Sequence, residues 1–425
     1  MDNFAYRSGV LHCEDVDLTA LAGELGTPLY VYSTATLRHH YTAMAKAFAP
    51  LNATICFAIK SLANLSVLRV LAGLGSGFDV VSGGEIFRAQ KAGADMRRLA
   101  YAGVGKTDGE ILQALTAGVG WFNVESEQEF ENLARLARQA GKTARAALRV
   151  NPDVDPHTHH HTATGKKGTK FGVDLERAEA FFARYGRDEQ VRLCGIHIHL
   201  GSAGKTAEPY AQAVTKCLAL IDRLRASGFA IEAINIGGGY GADYVEGEAP
   251  TAEQYARQVV PLLAGRGLEV LLEPGRQIAC NAGILLTTVQ YLKTGGEKDF
   301  VIVDATMTDL VRPAMYDAWH FIYPARLGAG EPLPRRTKEF APPGAVTVDV
   351  VGGVCESTDY LGKDRRLPRV ARGDLLAVFS AGAYGHVMSS QYNARPRAAE
   401  VLVDGAAYRV VRRRESYEDL VRGEE

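Results

Sequence analysis

The sequence has no apolar run of membrane-spanning length, almost no net charge and few cysteines, and each absence excludes a class of protein. Its 48 lysines and arginines balance 49 aspartates and glutamates, which leaves a formal net charge of -1. No overall field therefore attracts nucleic acid or an anionic membrane. The N-terminal segment MDNFAYRSGV has no signal-peptide core, and the six cysteines show no CxxC spacing. We expect a cytoplasmic protein with reduced thiols, and neither nucleic acid nor membrane as a partner.

The chain is long and has the composition of an ordinary folded protein. Its 425 residues are 47% hydrophobic and 23% charged, which is typical of a folded protein with more than one core. Short apolar strands alternate with helical segments, as in a barrel of eight parallel strands over about 250 residues. A doubly wound sheet, the alternative, normally uses fewer strands. The eight predicted strands are ATICFAIK, GFDVVS, RLAYAG, WFNVE, RAALRVN, LCGIHIHLGS, AINIGGG and EVLLEPGR.

These patterns predict an α/β fold followed by a β fold. Residues 31–280 form a (β/α)8 TIM-type barrel, and residues 281–425 form a C-terminal β domain resembling a sandwich or barrel. Residues 1–30 form an N-terminal arm that packs with the β domain. Beyond the barrel, strands follow one another with few helices, and AAEVLVDGAAYRVVRRR predicts a hairpin that turns at Asp404 and Gly405.

The end of the first barrel strand carries an unusual residue, Lys60 in FAIK. An ammonium group is costly to bury unpaired, whereas a desolvated lysine can act as a nucleophilic amine that holds a carbonyl cofactor. A lysine at a strand end can also extend its charge to solvent. Taken alone, FAIK favours this second interpretation.

Two later strand ends favour the binding of a phosphate and a ring. Gly237, Gly238 and Gly239 follow the strand AIN, where backbone N–H groups can approach a phosphate. In EPGR, Arg276 suits a phosphate or carboxylate, and Glu273 can face a pyridine nitrogen. A tight turn and a surface ion pair are the structural alternatives.

The histidines permit two interpretations. His197 and His199 lie two apart on one predicted strand, followed by Ser202. A flat imidazole stacked on a cofactor ring explains His199, whereas a satisfied core histidine is favoured for His197. HTHHH at residues 157–161 has no ordered ligand spacing. We expect no metal, and we interpret this loop as a lid.

The β domain contains three further candidates. Arg312 and Tyr316 in RPAMY suit a free carboxylate. In CES, Cys355 and Glu356 place a thiol beside a carboxylate, and a thiol with an ordinary pKa of about 8.5 can donate a proton. Tyr384 in SAGAYG lies in a glycine-flanked turn from which a phenol can reach a phosphate. A buried free cysteine and a packed tyrosine are the alternatives.

In their order along nearly the whole chain, these motifs resemble the diaminopimelate decarboxylases, group IV decarboxylases within the alanine-racemase-like class of pyridoxal-phosphate (PLP) enzymes. The matching segments are FAIKS, FDVVSGGE, RVNPDV with HTATGKKGTKFG, HIHLGS, INIGGGYG, EPGR, RPAMY, CESTD, SAGAYG with SSQYNARPR, and RRRESYEDL. The resemblance implies decarboxylation of meso-2,6-diaminopimelate to L-lysine and CO2, the last step of lysine biosynthesis.

The resemblance also assigns roles to individual residues. Lys60 attaches PLP covalently, His199 stacks on its ring and Glu273 pairs with the pyridine nitrogen. Cys355 is the catalytic proton donor and Glu356 binds the distant ammonium, both supplied by the partner subunit of a homodimer. The phosphate is held by Ser202, Gly237, Gly238, Gly239, Arg276 and Tyr384, and Gly275 also binds the cofactor. The substrate carboxylate is bound by Arg276, Arg312, Tyr316 and Tyr384.

Some positions depart from the family pattern and leave the substrate open. Tyr360 in CESTDYLG is bulkier than the usual residue, and the HHH run replaces a proline-aromatic stretch. One alternative is a decarboxylase of the same fold acting on ornithine, arginine, carboxynorspermidine or a carrier-bound amino acid. Such relatives with basic substrates generally carry Asp where this chain has Glu356. The other alternative is a non-catalytic PLP-binding relative.

Overall fold

The computed structural model describes residues 2–154, 170–201 and 206–424. The chain divides into two compact units. One, called here the β unit, comprises Met1–His39, Asp243–Glu248 and Ile278–Glu425. The other, called here the barrel unit, comprises His40–Ala242 and Ala249–Gln277. The short segment Asp243–Glu248 interrupts the barrel sequence, and no composition change marks it.

The N-terminal elements begin with two short antiparallel pairings. Strand β1 pairs with β2, and β2 pairs with β3. The Asp17 carboxylate then accepts hydrogen bonds from the N–H groups of Thr19 and Ala20 at 2.7 and 3.1 Å, which starts the first helix. The elements are β1 (Phe4–Arg7), β2 (Val10–Cys13), β3 (Val16–Asp17), α1 (Leu18–Leu25), β4 (Leu29–Ser33) and α2 (Thr34–Ala47).

Eight parallel strands close into a barrel, as predicted. They pair in the order β5-β6-β7-β8-β9-β11-β12-β13, and β13 pairs back with β5. The two-residue strand β10 adds to β9. The strands are β5 (Thr54–Ala58), β6 (Gly77–Val80), β7 (Leu99–Tyr101), β8 (Trp121–Val124), β9 (Ala144–Asn151), β10 (Val173–Asp174), β11 (Val191–His197), β12 (Ala233–Asn235) and β13 (Glu269–Leu272).

Helices connect these strands and follow ordinary capping rules. Ser126 caps α6 through the Glu129 N–H, and Gly141 ends this helix in the left-handed conformation. Glu127 and Glu129 lie in its first turn, where negative charge complements the positive end of the helix dipole. The helices are α3 (Leu65–Gly73), α4 (Gly83–Ala92), α5 (Asp108–Ala117), α6 (Glu127–Ala140), α7 (Ala178–Tyr185), α8 (Glu208–Ala226), α9 (Ala252–Leu263) and α10 (Arg276–Ala279).

One large ring fills the N-terminal end of the barrel. The Trp121 indole N–H donates to Glu269 at 3.3 Å, and the Arg145 guanidinium lies 3.9 Å from the ring centroid. Trp121 and Glu269 are the first residues of β8 and β13, so this packing lies at the amino ends of the strands. The polar residues at the carboxyl ends, where barrel active sites lie, take no part in it. The buried cluster around the ring takes each member from a different strand, and it comprises Cys56, Ala100, Trp121, Ala147, Cys194, Ala233 and Leu271.

The β unit is built around one sheet that includes a strand from the N-terminal part of the chain. The order is β18-β17-β15-β14-β4-β20-β21, and β19 pairs with β14 and β16. The predicted hairpin is confirmed as β20 and β21. The arm predicted over residues 1–30 belongs to the β unit, which takes in Met1–His39 and so extends beyond the predicted arm. The elements are β14 (Gly283–Gly295), β15 (Lys298–Val303), α11 (Arg312–Tyr316), β16 (Ile322–Pro324), β17 (Val346–Val351), β18 (Tyr360–Leu367), β19 (Leu375–Val378), β20 (Ala399–Asp404), β21 (Ala407–Arg412) and α12 (Tyr417–Leu420).

Candidate active site

Lys60 lies just beyond the carboxyl end of the first barrel strand. Strand β5 ends at Ala58, and Lys60 occupies a single 3-10 turn, Ile59–Ser61, so the strand is two residues shorter than predicted. The Lys60 ammonium donates to the Asp79 carboxylate, which is fully buried, while the lysine side chain is 33% exposed. A lysine that extended its charge to solvent would not pair with a fully buried carboxylate. The structure therefore favours the functional interpretation of FAIK.

Two carboxylates beside Lys60 were not identified from the sequence. Burial raises the pKa of Asp79 to about 6, although the Lys60 charge opposes the rise. Burial likewise raises the pKa of Glu85 to about 7, against the Lys60 charge and the Val81 N–H that donates to it at 2.7 Å. The sequence did contain a signal for Asp79, because a charged residue inside the apolar strand GFDV indicates a buried carboxylate. Burial therefore raises the pKa of both carboxyl groups, which marks this end of the barrel as a candidate functional site.

Glu273 is held in its ionised form at the end of the eighth strand. Its Oε1 accepts hydrogen bonds from the amides of Asn123 and Asn235 at 3.1 and 2.6 Å, and His197 Nε2 lies 3.4 Å from Oε2. Burial alone would raise the pKa of Glu273. The charges of His197 and Lys60 outweigh that effect and place the pKa well below its usual range. The site therefore favours a buried negative charge on Glu273 at this end of the barrel.

The two histidines have different environments. Strand β11 ends at His197, so the prediction that both lie on one strand is wrong for His199, which follows it by two residues. His197 is buried beside Glu273 and takes part in the charge balance of the site. The Gly238 N–H donates to His199 Nδ1 at 3.1 Å, while burial and the Arg149 charge lower the pKa of His199 well below its usual range. His199 is therefore a neutral ring held in one orientation.

The three glycines after β12 are required by the close approach of other backbone. A Cβ at Gly237 or Gly238 would lie 2.1 or 2.2 Å from a carbonyl oxygen, and one at Gly239 would lie 1.9 Å from the oxygen of Gly201. Gly237 and Gly239 also have positive φ angles of 71° and 96°. Because the Gly238 N–H donates a hydrogen bond to His199, Gly238 orients the imidazole ring.

The EPGR turn packs beside the lysine. A Cβ at Gly275 would lie 3.1 Å from Ala58 and Ser61, the residues that flank the Lys60 turn. Arg276 begins α10 and is buried, at 7% exposure. Ser202 and the histidines of residues 157–161 lie outside the described residues, so their predicted roles stay predictions.

Arg312 in the β unit is a buried cation that faces aromatic rings. It opens α11, is 7% exposed, and its guanidinium lies 5.0 Å from the Tyr244 ring and 5.9 Å from the Tyr316 ring. Within the described parts of the chain, no carboxylate forms an ion pair with it. Tyr244 belongs to the inserted segment Asp243–Glu248, and sequence reasoning did not identify it. A buried guanidinium with this setting suits a carboxylate brought by a ligand.

The CES turn and Tyr384 are also in the β unit. Cys355 is exposed in the single chain, whereas the other five cysteines are buried, so the buried-cysteine alternative does not apply to it. Glu356 is likewise exposed. The Cys355 N–H donates to Asn393 Oδ1 at 2.8 Å. Tyr384 is half-buried and has a positive φ of 56°, which is uncommon for a residue with a side chain.

Tyr360, flagged as a departure, makes a specific contact. Its hydroxyl donates to Asp317 at 2.8 Å, and Asp317 ends helix α11 directly after Tyr316. The Lys363 ammonium lies 3.8 Å from the Tyr360 ring centroid. The bulky residue therefore ties the strand after the CES turn to the helix that carries Arg312.

No helix in the described ranges is long and apolar enough to span a membrane. In the same part of the chain, no three His, Cys, Asp or Glu side chains are grouped so that they could hold a metal ion.

Comparison with known proteins identifies the family. The profile described as "Pyridoxal-dependent decarboxylase, pyridoxal binding domain" matches residues 34–280. The diaminopimelate decarboxylase of Pseudomonas aeruginosa is 47% identical over 424 residues, covering 100% of this chain and 99% of the relative. That of Aquifex aeolicus is 45% identical over 417 residues, covering 98% of this chain and 96% of the relative.

Solved structures agree with the sequence comparison. The diaminopimelate decarboxylase of Helicobacter pylori, in complex with L-lysine, has a TM-score of 0.90 and 37% identity, covering 96% of this chain and 99% of that one. The diaminopimelate decarboxylase of M. jannaschii, also in complex with L-lysine, has a TM-score of 0.91 and 34% identity, covering 99% and 97%.

Proposed function

Because the chain belongs to the diaminopimelate decarboxylases, within the pyridoxal-dependent decarboxylases, we propose that it converts meso-2,6-diaminopimelate to L-lysine and CO2 with PLP as cofactor. In this role it completes lysine biosynthesis in the cytoplasm. The observation that carries the proposal is the buried, ionised Glu273 beside neutral His199 and the Lys60–Asp79 pair. An amine, a flat ring and a fixed negative charge are what a PLP site requires.

The described residues fit this cofactor. Bound PLP supplies a pyridine ring that accepts the electrons released when the carboxylate leaves, most effectively when its nitrogen is protonated. Glu273 is the residue that would keep that nitrogen protonated, because Asn123 and Asn235 hold its carboxylate in place. His199 would cover one face of the ring, and Lys60 would attach the cofactor. The phosphate would be held by Ser202, Gly237, Gly239, Arg276 and Tyr384, while Gly238 would orient His199 and Gly275 would also bind the cofactor.

Substrate selection is assigned to residues outside the barrel strands. Arg312, buried without an ionic partner in the described chain, would bind the carboxylate that the substrate retains, together with Tyr316, Arg276 and Tyr384. Glu356 would bind the distant ammonium. A substrate with both a retained carboxylate and a distant ammonium is diaminopimelate, whereas ornithine and arginine lack the second carboxylate.

The proton donor is assigned to a second copy of the chain. We infer that the enzyme is a homodimer in which Cys355 and Glu356 act in the active site of the partner subunit. Their exposure in the single chain supports this arrangement, since a proton donor must be desolvated in the assembled site. Cys355 would donate its thiol proton to the carbon that has lost CO2 and regain a proton from water.

A substrate panel tests the function. The wild-type protein with PLP is expected to release CO2 from meso-diaminopimelate and little from lysine, ornithine or arginine. Lys60→Ala should abolish both the cofactor absorbance and CO2 release, whereas the exposed-residue control Lys142→Ala should leave both unchanged. A higher kcat/KM for ornithine or arginine would contradict the substrate assignment. Cofactor absorbance without CO2 release from any of the four would make the protein a non-catalytic relative.

A further inference from the structure

The turn that carries Cys355 and Glu356, residues 354–358, is held at its start by a buried carboxylate. Asp359 accepts hydrogen bonds from the N–H groups of Val354 and Met307, each at 2.6 Å. A Cβ at Gly352 would lie 2.6 and 2.7 Å from the two Asp359 oxygens, so the carboxylate packs directly on the backbone that enters the turn. One side of the turn is therefore fixed from within its own segment.

A second hydrogen bond to this turn comes from a distant part of the sequence. Asn393 Oδ1 accepts the hydrogen bond of the Cys355 N–H at 2.8 Å, across 38 residues of chain. The Asn393 side chain thus accepts a hydrogen bond from the backbone of Cys355, the proposed proton donor. Movement of Asn393 would therefore move the Cys355 Cα and with it the thiol.

The backbone at Asn393 has an unusual conformation that fixes where its side chain points. Asn393 and Ala394 both have positive φ angles, 56° and 53°. Two consecutive residues with side chains rarely adopt this conformation unless neighbouring contacts enforce it. The next residue is anchored, since Arg395 Nη2 donates to the Asp304 carbonyl at 2.8 Å. Asparagine tolerates this conformation better than most residues.

From these contacts we propose that Asn393 is a positioning residue for the protonation step, a role that rests on the proposed function. Its amide oxygen fixes the Cys355 backbone so that the thiol faces one side of the carbon that has lost CO2. In the step, the S–H bond breaks and a C–H bond forms, the sulfur keeps the electron pair as a thiolate, and water restores its proton. Asn393 does not touch the reacting atoms.

Three variants separate the hydrogen bond from the backbone conformation. Asn393→Gly keeps the positive φ without strain and removes the acceptor. Asn393→Asp keeps both the acceptor and a side chain that tolerates this conformation. Asn52→Gly is the matched control, because Asn52 also has a positive φ, 48°, and is exposed after the 3-10 turn Ala49–Leu51 in the barrel unit.

The first measurement does not depend on activity. Backbone hydrogen exchange of the peptide spanning the CES turn, read by mass spectrometry on the holoenzyme, reports the Cys355 N–H. We expect Asn393→Gly to exchange this amide about tenfold faster, and Asn393→Asp and Asn52→Gly to match the wild type. Equal protection in Asn393→Gly and the wild type would overturn the proposal.

The second measurement tests the chemistry. In deuterated water, the wild type is expected to place deuterium in one of the two diastereotopic positions of the new CH2 group of lysine. Asn393→Gly should lower kcat by about 2- to 10-fold, the equivalent of one net hydrogen bond, with KM little changed. It should also give a mixture of both labelled positions, which a loss of folded protein would not produce. Asn393→Asp should restore the single position.

The outcomes distinguish this proposal from the function on which it rests. An active wild type whose kcat and labelling are unaltered by Asn393→Gly would overturn the positioning role alone. A wild type that releases no CO2 from diaminopimelate would overturn the proposed function and, with it, any catalytic role of Asn393.

Discussion

Removal of the Lys60 charge should make the stability of the barrel fall with rising pH. In the cofactor-free protein, Lys60 is the cation that donates to the fully buried Asp79 carboxylate. Burial raises the pKa of this carboxyl from 3.8 to about 6 even with Lys60 in place. In Lys60→Met the opposing charge is gone, so the folded-state pKa of Asp79 must rise further.

The direction and size of the effect follow from proton linkage. Between the unfolded pKa and the folded pKa, the folded state binds more protons, so stability falls by about 1.4 kcal/mol per pH unit. For Asp79 in the wild type this loss ends near its folded-state pKa of about 6. For Lys60→Met it continues above that pH. Above pH 6 the variant should therefore lose stability more steeply than the wild type, by up to about 1.4 kcal/mol per pH unit.

The two tryptophans of the chain allow this to be measured in the barrel alone. Trp121 is buried in the barrel unit, so in a Trp319→Phe background its fluorescence reports barrel unfolding in urea. The control is Lys60→Met with Asp79→Asn, which removes the Asp79 carboxyl and keeps Glu85, so it should lose less stability above pH 6 than Lys60→Met alone. If the single and double variants lose stability equally with pH, the assignment of the effect to Asp79 is wrong.

Three further predictions concern the β unit. Arg312→Ala should raise KM for diaminopimelate about 10- to 150-fold, the value of a charge-assisted hydrogen bond, with a much smaller change in the PLP dissociation constant; equal losses would place Arg312 in the cofactor site. Cys355→Ala should retain cofactor absorbance while kcat falls about 100-fold or more, and unchanged turnover would reject it as proton donor. Tyr360→Phe loses the hydrogen bond to Asp317 and should raise KM about 2- to 10-fold, whereas an unaltered KM would show that this contact does not orient helix α11.

The barrel and much of its site could be predicted because their signals are local. Each strand is a short apolar run, and each functional residue follows such a run within a few positions, as Lys60 follows β5 and Glu273 follows β13. Parallel strands in a barrel bring their carboxyl ends together, so residues far apart in sequence meet at one end. Recognition of the strands was therefore enough to group these residues.

Other parts of the site gave weaker local signals. Asn123 and Asn235 are neutral amides within apolar strands, and nothing nearby in sequence shows that both donate to Glu273. Asp79 was detectable as a charge in a buried strand, but its pairing with Lys60 depends on the adjacency of β5 and β6. The hydrogen bond from the Gly238 N–H to His199 likewise depends on the adjacency of β11 and β12.

By itself, the sequence determined the eight strands, the lysine, the glycine loop and the family, because these depend on periodicity and on the order of motifs. Tertiary structure alone decided which charges meet. It assigned the segment Asp243–Glu248 to the β unit and placed Asn393 against the Cys355 N–H. The physical reason is that a pKa or a hydrogen bond depends on burial and on neighbours a few ångströms away. Those neighbours come from segments tens to hundreds of residues apart.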